Sequence, residues 1–181
     1  MLVSLASIKL LNNQRSVVAM APRKVALQIT VMGYCFSGKT TLVQCFKQHQ
    51  ATSSMTTAEW GPHTINILDT TSLEMFLPDV FPRYLINAGA VIIAYDITNE
   101  NSFRVIRKHC VELLKHAKKN PLVVIVGTKL DLVTTTNRAI PPQDARALAK
   151  ELNKHNEAFT ALPEHQLPYF ETSSKTGHNV D

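Results

Sequence analysis

The stretch GYCFSGKTT, Gly33 to Thr41, has the spacing of a loop that wraps a phosphate. Consecutive backbone N–H groups in such a loop form a concave anion site. A helix beginning at its end adds partial positive charge. Lys39 would place a full charge on the outer phosphates, and the Thr40 hydroxyl can ligate Mg²⁺; Gly33, Ser37, Gly38 and Thr41 complete the set. A glycine turn with a surface lysine would share the pattern. Cys35 and Phe36 are large for the interior of such a loop. Asp69, at the end of NILD, is placed to hold a metal-bound water, or to cap the next turn. In TKLD, Thr128 to Asp131, one carboxylate can accept both the N1–H and the exocyclic amine of guanine. Such a two-point base contact is worth roughly 1–3 kcal/mol. Adenine has an acceptor at N1 and would be repelled. Lys129 can lay its aliphatic stem along the base; a surface turn with a local ion pair is the plain alternative. In ETSSKTG, Glu171 to Gly177, the backbone N–H groups around Ser173, Ser174 and Lys175 can reach the guanine carbonyl, or the segment is an ordinary Ser/Gly turn.

These residues need strands and helices to carry them. Val25, Leu27, Ile29 and Val31 alternate as a strand requires, and Gly33 ends it. TTLVQCFKQH places Leu42, Cys45 and Phe46 on one helix face. TINILD reads as a strand ending at Asp69. AVIIAYDIT (90–98) and LVVIVGT are continuous and β-branched, as strands covered on both faces are. Between them, Phe103, Ile106, Cys110, Leu113, Leu114 and Ala117 recur at helical spacing, with Ser102 or Asn101 as the cap and Pro121 as the stop. PPQDARALAKELNKHN shows Ala145, Leu148, Ala149 and Leu152 on one face, and PYFETSS is a last short strand. Strands alternating with helices imply a parallel sheet. Ligands on such sheets bind at the carboxyl ends of the strands, where all four candidate segments fall.

With 181 residues the chain can bury one substantial core. Its net charge of +5 serves solubility, or contact with acidic lipid or protein, and calls for no nucleic-acid partner. The basic residues of 104–119 read as a solvated helix face. Cys35, Cys45 and Cys110 form no metal-ligand pair and suit a reducing compartment. No apolar run approaches the ~20 residues that span a bilayer. Residues 1–24, basic and free of acids, read as a poorly ordered extension more readily than as an organelle-targeting signal.

In order and context, GYCFSGKT, DTTSLE, YDITNENSF, VGTKLD and ETSSKTG resemble the motifs of a Ras-superfamily small GTPase, most closely the Rab branch. The resemblance covers 25–181. It implies an α/β fold of the P-loop NTPase type: a mostly parallel sheet with helices on both faces, small-GTPase-like and truncated at the C-terminus. It also implies a switch that binds GTP and GDP with Mg²⁺ and whose loops are read by effector, exchange-factor or activating proteins. The departures are specific. Ser72 stands where the family has a glycine that presents its N–H to the γ-phosphate. Leu73 replaces the family's water-orienting glutamine and can neither donate nor accept. Bulk at Cys35 and Phe36 would obstruct an activating arginine. The segment before Asp69 is short, so its hairpin must be tight, with Gly61 and Pro62 at the turn. Thr57 or Thr56 is the candidate switch ligand for Mg²⁺, with Thr40 and Asp69 as its partners. The sequence stops where the family has a further helix and a prenylated tail, so apolar sheet surface should be exposed and no C-terminal lipid anchor is expected.

The resulting expectation is a slowly hydrolysing guanine-nucleotide switch, with Lys39 and Leu73 as the catalytic positions. It would be cytoplasmic or peripheral on an endomembrane, and would act in vesicle-transport signalling. The alternative is a non-cycling pseudo-GTPase that serves as an interaction module. An ATP-using enzyme fits Asp131 and the ETSSK turn poorly.

Overall fold

A computed structural model describes residues 26–47, 56–60, 63–70, 81–115, 117, 120–156, 159 and 162–180. The basic extension, Thr71, Ser72, Leu73 and the Gly61-Pro62 turn lie outside the described residues. The strands are β1 (Ala26–Gly33), β2 (Thr56–Trp60), β3 (His63–Asp69), β4 (Ala90–Asp96), β5 (Leu122–Thr128) and β6 (Tyr169–Glu171). The helices are α1 (Lys39–Lys47), α2 (Phe81–Leu85), α3 (Glu100–Leu114) and α4 (Pro142–Leu152).

One sheet runs in the order β2-β3-β1-β4-β5-β6. All pairings are parallel except β2 with β3, which is antiparallel. Trp60 pairs with His63 in the register of this hairpin.

The period of two in the central strands sorts their side chains onto two cores. Val91, Ile93, Tyr95, Val123 and Ile125 face Phe103, Ile106, Ala145 and Leu148 of α3 and α4. Ala90, Ile92, Leu122, Val124 and Val126 belong to the opposite cluster with Leu42 and Val43 of α1. Every residue of β4 and β5 is buried, which is why both read as unbroken apolar runs. Fully burying side chains of this size contributes about 1.5–3 kcal/mol each.

Two expectations change. The cap of α3 is Asn99, whose Oδ1 accepts from Ser102 N at 3.2 Å, and the Ser102 hydroxyl instead accepts from Asp96 N at 3.0 Å. The earlier residue wins because its side chain faces the first free N–H groups of the helix. Nor is apolar sheet surface exposed among the described residues: the large exposed hydrophobics are Phe36 and Leu132, neither on the sheet. Phe159 and Val180 are buried in the α1-side cluster, and Leu162 and Phe170 pack against it.

Candidate functional site

β1 lies between β3 and β4, so the direction of the sheet's winding reverses there, and a crevice opens at its carboxyl end. Gly33 closes β1 beneath this crevice. Its φ is +155°, and a Cβ there would stand 2.1 Å from Ala94 O, so only glycine lets the chain leave against β4. Gly38, at φ +80°, returns the chain into α1. The first helical bond, Leu42 N to Gly38 O, is 2.9 Å long. The N–H groups of residues 39–41 lie ahead of it, where a helix leaves its donors without intrahelical partners. Thr40 and Thr41 are exposed on this first turn.

The Lys39 side chain is buried, and its Nζ donates to Tyr34 O at 2.9 Å. Burial pushes its pKa down, while the nearby Asp69 carboxylate pushes it back up. A buried cation of this kind gains from an added anion. Asp69 is held where β3 ends: it pairs in register with Val31, and Thr70 N and Oγ1 both donate to Val31 O, at 3.1 and 2.9 Å. Asp69 Oδ1 is a buried oxygen with no hydrogen-bond partner, as is Ser37 Oγ. Lys39, Thr40 and the orphaned carboxylate oxygen make a donor set that fits a phosphate with a hard cation.

Thr57 is not brought to this set. It is exposed on β2, donates to Asn66 Oδ1 at 3.2 Å and pairs with Asn66. That rung is three residues from Asp69, or about 10 Å along the strand. Phe36 also departs from expectation. Its φ of 59° is left-handed, and the backbone turns its side chain out to 91 % exposure, so it does not fill the loop. Cys35 is half-buried.

The second half of the site is tied to the first by Thr128. Its buried hydroxyl lies 2.7 Å from Ser37 O and 2.9 Å from Tyr95 O, bracing the phosphate loop against β4 and β5. Lys129 follows at φ 62°, and its ammonium pairs with Asp96 Oδ2 at 2.7 Å. Asp96 also accepts from Thr98 N and Thr98 Oγ1 through Oδ1. Burial alone would raise the Asp96 pKa, but Lys129 and Thr98 outweigh it and hold the carboxyl below the usual carboxylate range. The ion pair stretches the Lys129 stem across the end of β4.

Asp131 is exposed in the short turn Leu130–Leu132, and its Oδ1 accepts from Ser173 Oγ at 2.7 Å. Ser173 thus orients Asp131, and Leu130 N to Thr172 O at 3.0 Å joins the same two loops. Ser174 is half-buried and Lys175 exposed. Behind them, Arg138 grips Glu171 with two bonds of 2.6 and 3.0 Å, and Tyr169 donates to the same carboxylate. Asp96, Thr70 and Arg138 escaped the sequence reading. A charged residue ending an all-apolar strand, as Asp96 does, was the available signal.

The sequence model of the Ras family matches residues 28–181. Ras-related protein Rab-20 of Mus musculus is 28% identical over 194 residues, covering 88% of this chain and 81% of the relative. Ras-related protein Rab-26 of Bos taurus is 34% identical over 117 residues, or 65% of this chain and 40% of the relative. Ras-related protein RABD2a of Arabidopsis thaliana is also 34% identical over 117 residues, and the match spans 50% of its length.

Proposed function

The chain belongs to the Ras family, as a small GTPase of the Rab branch, and on that premise we propose that it binds GTP and GDP with Mg²⁺ and hydrolyses GTP slowly. What supports this reading is the gathering of the loop 33–41, Asp69, the turn 128–131 and the loop 173–175 at the carboxyl ends of β1, β3, β5 and β6. Lys39 and the first turn of α1 hold the phosphates. Asp131, oriented by Ser173, reads the N1–H and amine of guanine. The Lys129 stem lies along the base, and the loop around Lys175 donates to its carbonyl. Bound magnesium would neutralise charge on the phosphate oxygens, and Thr40 and Asp69 are the residues that would hold it.

Slow turnover follows from Leu73, which has no atom able to orient an attacking water. A single-turnover assay of the parent against Leu73→Gln tests this. We expect the variant to hydrolyse GTP roughly tenfold faster or more; no gain would discard Leu73 as the cause. A second reading, a module that retains one nucleotide and does not cycle, is favoured by Ser72 and Leu73, and it predicts retained GTP in both proteins. By its likeness to Rab proteins we further assign the switch to signalling in vesicle transport, between the cytoplasm and an endomembrane surface. A fluorescent fusion whose distribution ignores the nucleotide state would contradict that assignment.

A further inference from the structure

We propose that Cys45 is a positioning residue for base recognition, acting through the Ser174–Lys175 peptide; this rests on the guanine-binding reading above. Cys45 stands on α1, the helix whose first turn faces the phosphates, and packs half-buried against the sheet. Its thiol donates to Ser174 O at 3.3 Å, joining segments 129 residues apart. A peptide unit is planar and trans. The carbonyl of Ser174 and the N–H of Lys175 therefore turn together and point in opposite directions. Fixing the carbonyl on α1 fixes the N–H turned away from it, as a donor to the 6-oxo group of guanine.

The neighbouring bonds hold a different peptide. Ser173 N donates to His178 O at 3.0 Å, and Ser173 Oγ donates to Asp131. They anchor Ser173 and Asp131, and Thr176 N closes the turn by donating to Ser173 Oγ at 3.2 Å; the Ser174 carbonyl itself is bonded by Cys45. The two halves of base reading are thus separable. Asp131 reads the N1–H and 2-amino group, while Cys45 controls the donor to the 6-oxo group. The same helix that holds the phosphates also sets the base loop.

Two analogues test this. Inosine diphosphate lacks the 2-amino group and keeps the 6-oxo group; 6-thioguanosine diphosphate keeps the amine and carries a weak sulfur acceptor. Affinities for GDP and both analogues would be measured on the full chain, on Cys45→Val, which packs but cannot donate, and on Cys45→Ser, which can. We expect Cys45→Val to lose GDP affinity about three- to tenfold. Its preference for GDP over the thio analogue should shrink by the same factor, with the preference over inosine diphosphate unchanged. Cys45→Ser should restore both. Cys45→Ala is read in the same way should valine disturb α1. Undiminished discrimination against the thio analogue, or an equal loss for all three ligands, would overturn the proposal. A parent protein that binds none of the three would instead defeat the nucleotide reading itself.

Discussion

Thr128→Val removes one hydroxyl and keeps the shape of the side chain. In the parent that hydroxyl is buried, 2.7 Å from Ser37 O and 2.9 Å from Tyr95 O. One proton serves two carbonyls, so the variant loses one net hydrogen bond and leaves a buried acceptor without its donor, at a cost of about 1–3 kcal/mol. One of these carbonyls belongs to the phosphate loop and the other to β4, so the loss falls on the strut between them. The fold should lose stability within that range, read as a lower urea midpoint at unchanged slope. The freed loop should also hold phosphates less well. GDP release should accelerate about tenfold for each ~1.4 kcal/mol lost from the bound state. Stopped-flow release of a fluorescent GDP measures it, with Thr128→Ser as the control that keeps the hydroxyl. A valine variant that is destabilised yet releases GDP at the parent rate would show that the strut serves the fold alone, and the coupling drawn above would be wrong.

Asp131→Asn exchanges an acceptor for a donor where guanine presents two donors, so competition binding should show affinity moving from guanine to xanthine nucleotides; unchanged selectivity would discard the base-reading role. Asn153→Ala should cost about 2–4 kcal/mol in chemical denaturation, because β6 pairs with β5 only over 125–127 and the Asn153 amide stands in for the missing rung, bonding Val123 N at 3.0 Å and Val123 O at 2.8 Å. A loss below about 0.5 kcal/mol would refute this. Asp96 and Glu171 are both held below the usual carboxylate range: burial raises each, and Lys129 with Thr98, and Arg138 with Tyr169, more than offset it. The unfolded chain therefore takes up their protons first. Their contribution is complete above the ordinary carboxylate pKa and is lost as pH falls through the lower folded values; Asp96→Asn should flatten that acid limb. At the other extreme burial pushes the Tyr95 hydroxyl up to about 12 from 10.0, so its contribution is complete below pH 10 and is lost as pH rises toward 12; burial raises its partner Tyr169 as well, so Tyr95→Phe should make this alkaline limb shallower in a pH series of melting curves without abolishing it.

Much of the fold was legible because its signals are local. Unbroken apolar runs in β4 and β5 and the Ala145–Leu152 stripe each report burial over a few neighbouring residues, and the structure follows them; β1 is a strand as expected, but its burial runs unbroken from Ile29 to Gly33 and does not alternate, because it lies between β3 and β4. The candidate site was legible at the level of which loops meet, since each motif ends a strand of one parallel sheet. The bonds inside it were not. Thr128 to Ser37, Lys129 to Asp96 and Cys45 to Ser174 join positions 91, 33 and 129 residues apart, and no local pattern encodes such pairings. Phe36 shows a different limit: its bulk is visible in the sequence, but the left-handed backbone that turns it outward is not. Thr57, with Thr56 as the alternative, was a candidate only through the family resemblance, and the antiparallel register of β2 pairs the two with Asn66 and Ile67, short of the strand end at Asp69.

The proposed function stands or falls with a guanine nucleotide in the crevice at the end of β1. The direct measurement is to denature the purified protein and identify the released nucleotide by chromatography, then titrate nucleotide-stripped protein with GDP and ADP in the presence of Mg²⁺. The expected result is GDP or GTP in the extract and binding of GDP but not ADP. Protein that releases no nucleotide and gives no response to GDP, or that binds the two equally, would contradict it.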